Sequence, residues 1–158
     1  MIQFLAQNHS AMTHLPIASS ILAAAAAVAA LFVRRKEITW SMAVLFIAAF
    51  VTVLPTVVTG IAAAKGRLNE QGRPYLQTGI FVPDLPENAR IHRHQLLGIS
   101  GTLVAAILAF FGISILRGRT PNRYLIALLA LVLAVLWGLG GHLGGQDLWG
   151  ADTFPAFR

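Results

Sequence analysis

The sequence predicts an all-α integral membrane protein, an up-down-up-down bundle of four transmembrane helices. Three observations carry that expectation. Of the 158 residues, 56% are hydrophobic and 11% are charged. The mean hydropathy is +0.70, outside the range of an ordinary water-soluble domain. The charges fall in short clusters between four apolar stretches, each long enough to cross a hydrocarbon layer of about 30 Å as a helix.

The first span is expected over about residues 11–33. Pro16 would lie in its first turn, where a missing N–H costs little, and Ser10 or Thr13 could cap it. No Lys or Arg precedes the Ala-rich run, and Arg34-Arg35-Lys36 follows it. That order lacks the positive opening of a cleavable signal, so an uncleaved first helix is expected. The second span is expected over about 39–64, with a kink at Pro55 and Thr52, Thr56 and Thr59 placed to satisfy freed backbone groups. The third is expected over about 94–116. The fourth is expected over about 121–145, with Pro121 at its first turn and a Gly-rich exit. Short basic turns join spans one to two and three to four. The long connection, residues 65–93, contains Pro74, Pro83 and Pro86. A loop of that length is commonly functional, and its apolar run Ile80-Phe81-Val82 is expected to pack onto the bundle or a partner.

Composition excludes several classes. There is no cysteine, hence no disulfide, iron–sulfur cluster, covalently attached haem or thiolate zinc site. The basic residues flank apolar spans, where they set orientation and meet anionic headgroups, so the high pI does not point to nucleic acid. No ionisable group is expected in the middle of a span, which argues against a proton pump or ion-coupled transporter. The two faces carry six basic residues each. Their density in the tight turns, with Glu70, Asp84, Glu87, Asp147 and Asp152 on the other side, places both termini and the long loop outside. Trp40 and Tyr124 then sit at the inner interface and Trp149 at the outer one.

All five histidines fall on that outer face: His9 and His14 with span one, His92 and His94 with span three, His142 at the end of span four. Imidazoles gathered from several helices at one depth suggest haem or a metal. In this topology spans one and three are diagonal. With neighbours about 8–10 Å apart the diagonal is about 11–14 Å, which suits an iron with an imidazole on each side. His14 and His94, at corresponding places in the two halves, are the first choice as axial ligands, with His142 and His9 as alternatives. Gly98 and Gly101 follow His94 on the same helical face and would leave room for a porphyrin. Arg90 and Arg93, with Arg67 and Arg73, are candidates to neutralise propionates. The bland readings stand beside these: interfacial histidines are often only polar residues, arginines there anchor headgroups, and Gly138, Gly140, Gly141, Gly144 and Gly145 permit close helix packing. A faint repeat, His14 with Thr59-Gly60 in one half and His94 with Gly140-Gly141 in the other, suggests a parallel duplication.

The run His9-Ser-Ala-Met-Thr-His14-Leu-Pro16-Ile resembles the His-Pro-x-x-x-His-Phe-Pro-Ile opening of a family of bacterial four-helix membrane proteins designated a domain of unknown function. The similarity continues through Thr59-Gly60 and His94-x-x-x-Gly98 and ends in Gly141-His142-Leu-Gly144-Gly145. Ser10 replaces the usual proline and Leu15 the phenylalanine. The resemblance implies a multi-pass protein of the bacterial inner membrane with recurrent histidines, and no settled activity. Its logic is similar to that of membrane b-type cytochromes.

Three functions are therefore weighed. The first is a b-type haem subunit for electron transfer within a larger respiratory or photosynthetic complex. It would work with other membrane subunits, lipid, and a quinone or cytochrome c, and would not be a stand-alone enzyme. The second is a cofactor-free structural or assembly subunit. The third is a copper or other metal protein using His9, His14, His94 and His142, a reading weakened by the scarcity of methionine near the histidines.

Overall fold

The computed structural model describes residues 2–66, 72, 74–76 and 79–149. Four long helices account for most of them: α1 Ile2–Phe32, α2 Lys36–Gly66, α3 Ala89–Leu116 and α4 Arg123–Trp149, with a short 3-10 turn at Pro86–Asn88 before α3. All four contain a stretch long and apolar enough to cross a membrane. Each helix packs on two neighbours. α1 and α3 both lie against α2 and α4, so α1 and α3 occupy one diagonal of the bundle. This is the up-down-up-down arrangement the spans implied.

The helices outrun the apolar spans, and this changes several local readings. α1 has 31 residues, about 46 Å of helix, and starts nine residues before the expected position at Ala11. Pro16 is therefore in the helix interior, not its first turn, and Ser10 and Thr13 do not cap α1. Thr13 Oγ1 instead donates to the Ser10 carbonyl at 2.7 Å. α3 begins at Ala89, so His92 and His94 are inside the helix. α4 begins after Pro121: Asn122 Oδ1 accepts from the N–H groups of Tyr124 and Leu125 at 3.0 and 3.3 Å, an N-cap of the usual kind.

Pro16 dictates how α1 meets α2. Having no N–H, it leaves the Met12 carbonyl without its helical donor. In lipid no water can take that role. Thr56 of α2 takes it, its Oγ1 lying 2.9 Å from Met12 O and buried. Sequence reading assigned the threonines of α2 to the kink at Pro55. Thr56 instead serves the carbonyl freed by the proline of the neighbouring helix, with Thr52 O of its own helix at 3.1 Å, and not the Val51 carbonyl that Pro55 frees. Thr52 and Thr59 bond their own helix, Thr52 to Ala48 and Ala49, Thr59 to Pro55 and Thr56.

The core between the helices is built from small residues facing larger ones. Ala23, Ala24 and Ala27 of α1 are buried beside Ala43, Phe46 and Val53 of α2, Leu108 of α3 and Leu133 of α4. The backbones of α3 and α2 approach closely at Gly112, where an added Cβ would stand 2.6 Å from the Ala43 carbonyl of α2. Small residues at such crossings let dispersion contacts hold helices together where lipid supplies no hydrophobic driving force between them. The exterior is apolar, with Val44, Val51, Leu103, Phe110, Leu128 and Val135 exposed. At the end of the bundle opposite the histidines Lys36 lies over Trp40 and Arg123 over Tyr124, at 5.3 and 5.1 Å from the ring centroids, as interfacial aromatics with basic neighbours do.

The Pro16–Thr56 relation is testable by a double-mutant cycle in detergent or bicelle unfolding. Thr56→Val is expected to destabilise the bundle by about 1–2 kcal/mol. In a Pro16→Ala background, where residue 16 regains an N–H for Met12, the same change is expected to cost close to nothing.

Candidate functional site

The histidine end of the bundle lies beyond the apolar core. His9 precedes the basic turn at Arg34 by 25 residues and His94 precedes Arg117 by 23, about 37 and 34 Å of helix. Both imidazoles are half-buried.

They meet across the α1–α3 diagonal. The ring centroids of His9 and His94 are 6.1 Å apart and the planes cross at 83°. Each ring is fixed by the helix beside it. His94 Nδ1 lies 2.8 Å from the Gly140 carbonyl of α4. A carbonyl only accepts, so Nδ1 carries the proton and Nε2 is the basic nitrogen of the neutral ring. His9 Nδ1 lies 3.1 Å from Thr59 Oγ1 of α2. The single proton of that hydroxyl is directed to the Pro55 carbonyl at 2.9 Å, with Thr56 O at 3.1 Å. Thr59 therefore accepts from His9 Nδ1–H, and Nε2 is again the basic nitrogen. Glycines seat both rings. A Cβ at Gly60 would come 3.1 Å from His9 Cε1, and one at Gly144 would come 3.0 Å from His94 Cε1.

The other sequence candidates separate from this pair. His14 follows His9 by five residues, about 140° round the helix, and its side chain is exposed on the outside of the bundle. The expected pairing of His14 with His94 is thus replaced by His9 with His94. The reason is helical phase, since residues five apart cannot share a face. His92 does not join the pair: its Nδ1–H donates to the Val82 carbonyl of the long loop at 2.9 Å. His142 is half-buried on α4. No group of three or more His, Asp or Glu able to hold a metal ion forms among the described residues.

The room expected beside Gly101 is filled. A Cβ there would lie 3.0 Å from Trp137 Nε1, so the glycine admits the indole of α4 rather than a macrocycle. Gly98, one turn nearer His94, has nothing within 4 Å of its Cβ position. Among the bundle glycines, Gly141 accommodates Ile17 at 2.7 Å and Gly140 lies 3.7 Å from Leu97, whereas a Cβ at Gly138 would meet open space. Close helix packing thus accounts for Gly141. Gly144 gives room to His94 and Gly140 lends its carbonyl. Arg90 and Arg93 are exposed at this end. Arg67, Arg73 and Asp152 lie outside the described residues, as do the side chains of Gln146 to Trp149.

Sequence reasoning passed over Thr59 as a partner of His9 and the carbonyl of Gly140 as a partner of His94. The first had a signal, a threonine beside a glycine near the outer end of α2. The second had none, because a backbone carbonyl has no residue type. Comparison with protein-family models, with curated proteins and with solved structures finds no match.

The tautomer assignment can be checked by 15N NMR of histidine-labelled protein. His9 is expected as the Nδ1–H form. Thr59→Val should shift its two ring nitrogen signals toward a mixture of tautomers, Thr59→Ser should restore them, and the His94 signals should move in neither.

Proposed function

We propose that this protein is a b-type haem-binding membrane subunit for electron transfer, in which His9 and His94 would hold the haem iron. The observation that carries the reading is their separation. A ring centroid stands about 3.2 Å from a metal that its nitrogen binds at about 2.0–2.1 Å, so two rings on one metal lie no more than about 6.4 Å apart, and His9 and His94, at 6.1 Å, are within that reach. Both Nδ1–H groups are given to fixed acceptors, the second-shell arrangement typical of metal-ligating histidines. In this reading Nε2 of each ring would be the nitrogen that meets the iron.

The donor set favours haem over a bare ion. Zinc or copper(II) held by protein takes three or four donors, and among the described residues two histidines converge. Haem iron would need from the protein the two imidazoles that His9 and His94 supply. The four-histidine copper reading is disfavoured because His14 faces outward. When bound, haem supplies reversible one-electron iron chemistry. The chain's own residues do the rest. Thr59 and Gly140 hold the imidazoles in one tautomer and orientation, and Gly60 and Gly144 give the rings room. Arg93 and Arg90 are the candidates to meet propionates. A centre at one membrane face cannot alone carry electrons across, so the reading includes partner subunits of a redox complex and a quinone or cytochrome c. It places the site at the periplasmic side of a bacterial inner membrane.

The test is a reduced-minus-oxidised optical spectrum with a pyridine haemochrome assay on protein purified in mild detergent. A low-spin b-type spectrum is expected, lost in His9→Ala and in His94→Ala and retained in His14→Ala. A colourless protein after gentle extraction would overturn the reading in favour of a cofactor-free subunit. Loss of the spectrum in His14→Ala would overturn the ligand assignment.

A further inference from the structure

The long loop is sewn to α3 beside the histidine pair. Gln95 grips the loop backbone twice: its Nε2 donates to the Ile80 carbonyl at 2.6 Å, and its Oε1 accepts from the Val82 N–H at 2.7 Å. His92 takes the Val82 carbonyl. Asn88 reaches the Pro83 carbonyl through its Nδ2, and its own N–H bonds Leu85 O. Irregular backbone in water would leave these groups to solvent. Here side chains of α3 and of the turn before it satisfy them, as low-water surroundings require.

The side chains divide in the same sense. Val82 is buried in the bundle at 2% exposure, while Ile80 and Phe81 are held outward at 54% and 62%. Gln95, which fixes them, directly precedes Leu96. Leu96 begins an outward apolar row on α3 that continues through Leu103, Ile107 and Phe110. Ile80 and Phe81 therefore add exposed apolar surface beside the end of α3 where that row begins. Arg93 stands exposed two residues before Gln95, where a cation meets phosphate headgroups.

We propose that Ile80 and Phe81 form a membrane-interface anchor, inserted among the outer-leaflet lipids beside α3, which clamps the long loop over the histidine end of the bundle. Phe81 and Ile80 bury apolar surface in the acyl boundary while Gln95 and His92 keep the backbone of the segment satisfied. The anchor is independent of whether haem binds.

The chain has no cysteine, so a single nitroxide can be placed at Phe81→Cys and, in a second variant, at Ile80→Cys. Both would be studied in the full chain, in nanodiscs of phosphatidylcholine and phosphatidylglycerol. Leu103→Cys serves as the lipid-facing reference and Arg119→Cys as the aqueous one. Power-saturation EPR should show both loop labels colliding with molecular oxygen more than with a water-soluble nickel chelate, as at position 103 but at shallower depth. Nickel-dominated collisions like those at position 119 would overturn the proposal. So would exclusion of both reagents, which would mark a surface covered by protein.

Discussion

The bundle depends on one requirement: within the bilayer every backbone polar group must find a partner in the protein. Pro16 makes that requirement specific. It strips the Met12 carbonyl of its donor in the middle of α1, and Thr56 of α2 supplies the missing hydrogen at 2.9 Å. This hydrogen bond sets the axial register and facing of α1 against α2. The same register brings His9, two turns above Pro16, level with Thr59 and Gly60, about one turn above Thr56. Position and chemistry at the outer end thus follow from a proline whose apparent role is only to disturb a helix.

The two halves of the bundle solve the same problem with different atoms. In α1–α2 the imidazole of His9 gives its Nδ1–H to a threonine hydroxyl and lies over Gly60. In α3–α4 the imidazole of His94 gives its Nδ1–H to a backbone carbonyl and lies over Gly144. Each ring is thus held by the next helix in the chain and faces the other ring across the diagonal. The structural likeness between the halves pairs His9 with His94. The repeat visible in the sequence paired His14 with His94, because distances to the basic turns were matched rather than helical phase.

Large side chains over small ones recur through the interior. The Trp137 indole occupies the space left by Gly101, and the Ala43 backbone occupies the space left by Gly112. Such pairs make the helices rigid neighbours. A rigid frame is what a pair of ring nitrogens needs if it is to hold a group at fixed separation, since ligand geometry relies on the shell behind it. At the same end Gln95 ties the segment from Ile80 to Val82 to α3 by two bonds, in place of the water that an ordinary loop would use.

The sequence by itself determined the class of fold, the number of spans, the diagonal placement of the first and third helices and the gathering of histidines at one face. These follow from hydropathy, span length and strand-free up-down connectivity, which act locally or by simple geometry. It did not determine where the helices begin. Polar residues such as Asn8 and Arg90 look like loop by hydropathy, yet helix continues through them, because backbone hydrogen bonding persists past the edge of the apolar span. Nor did it determine which histidines meet. His9 and His14 differ by 140° of helical rotation, and only the packing of α1 against α2, fixed by Thr56 and by the small residues between them, decides which face turns inward. The partner of His94 was beyond sequence altogether. It is a carbonyl of Gly140, and any residue there has one. Tertiary packing alone aims it at an imidazole.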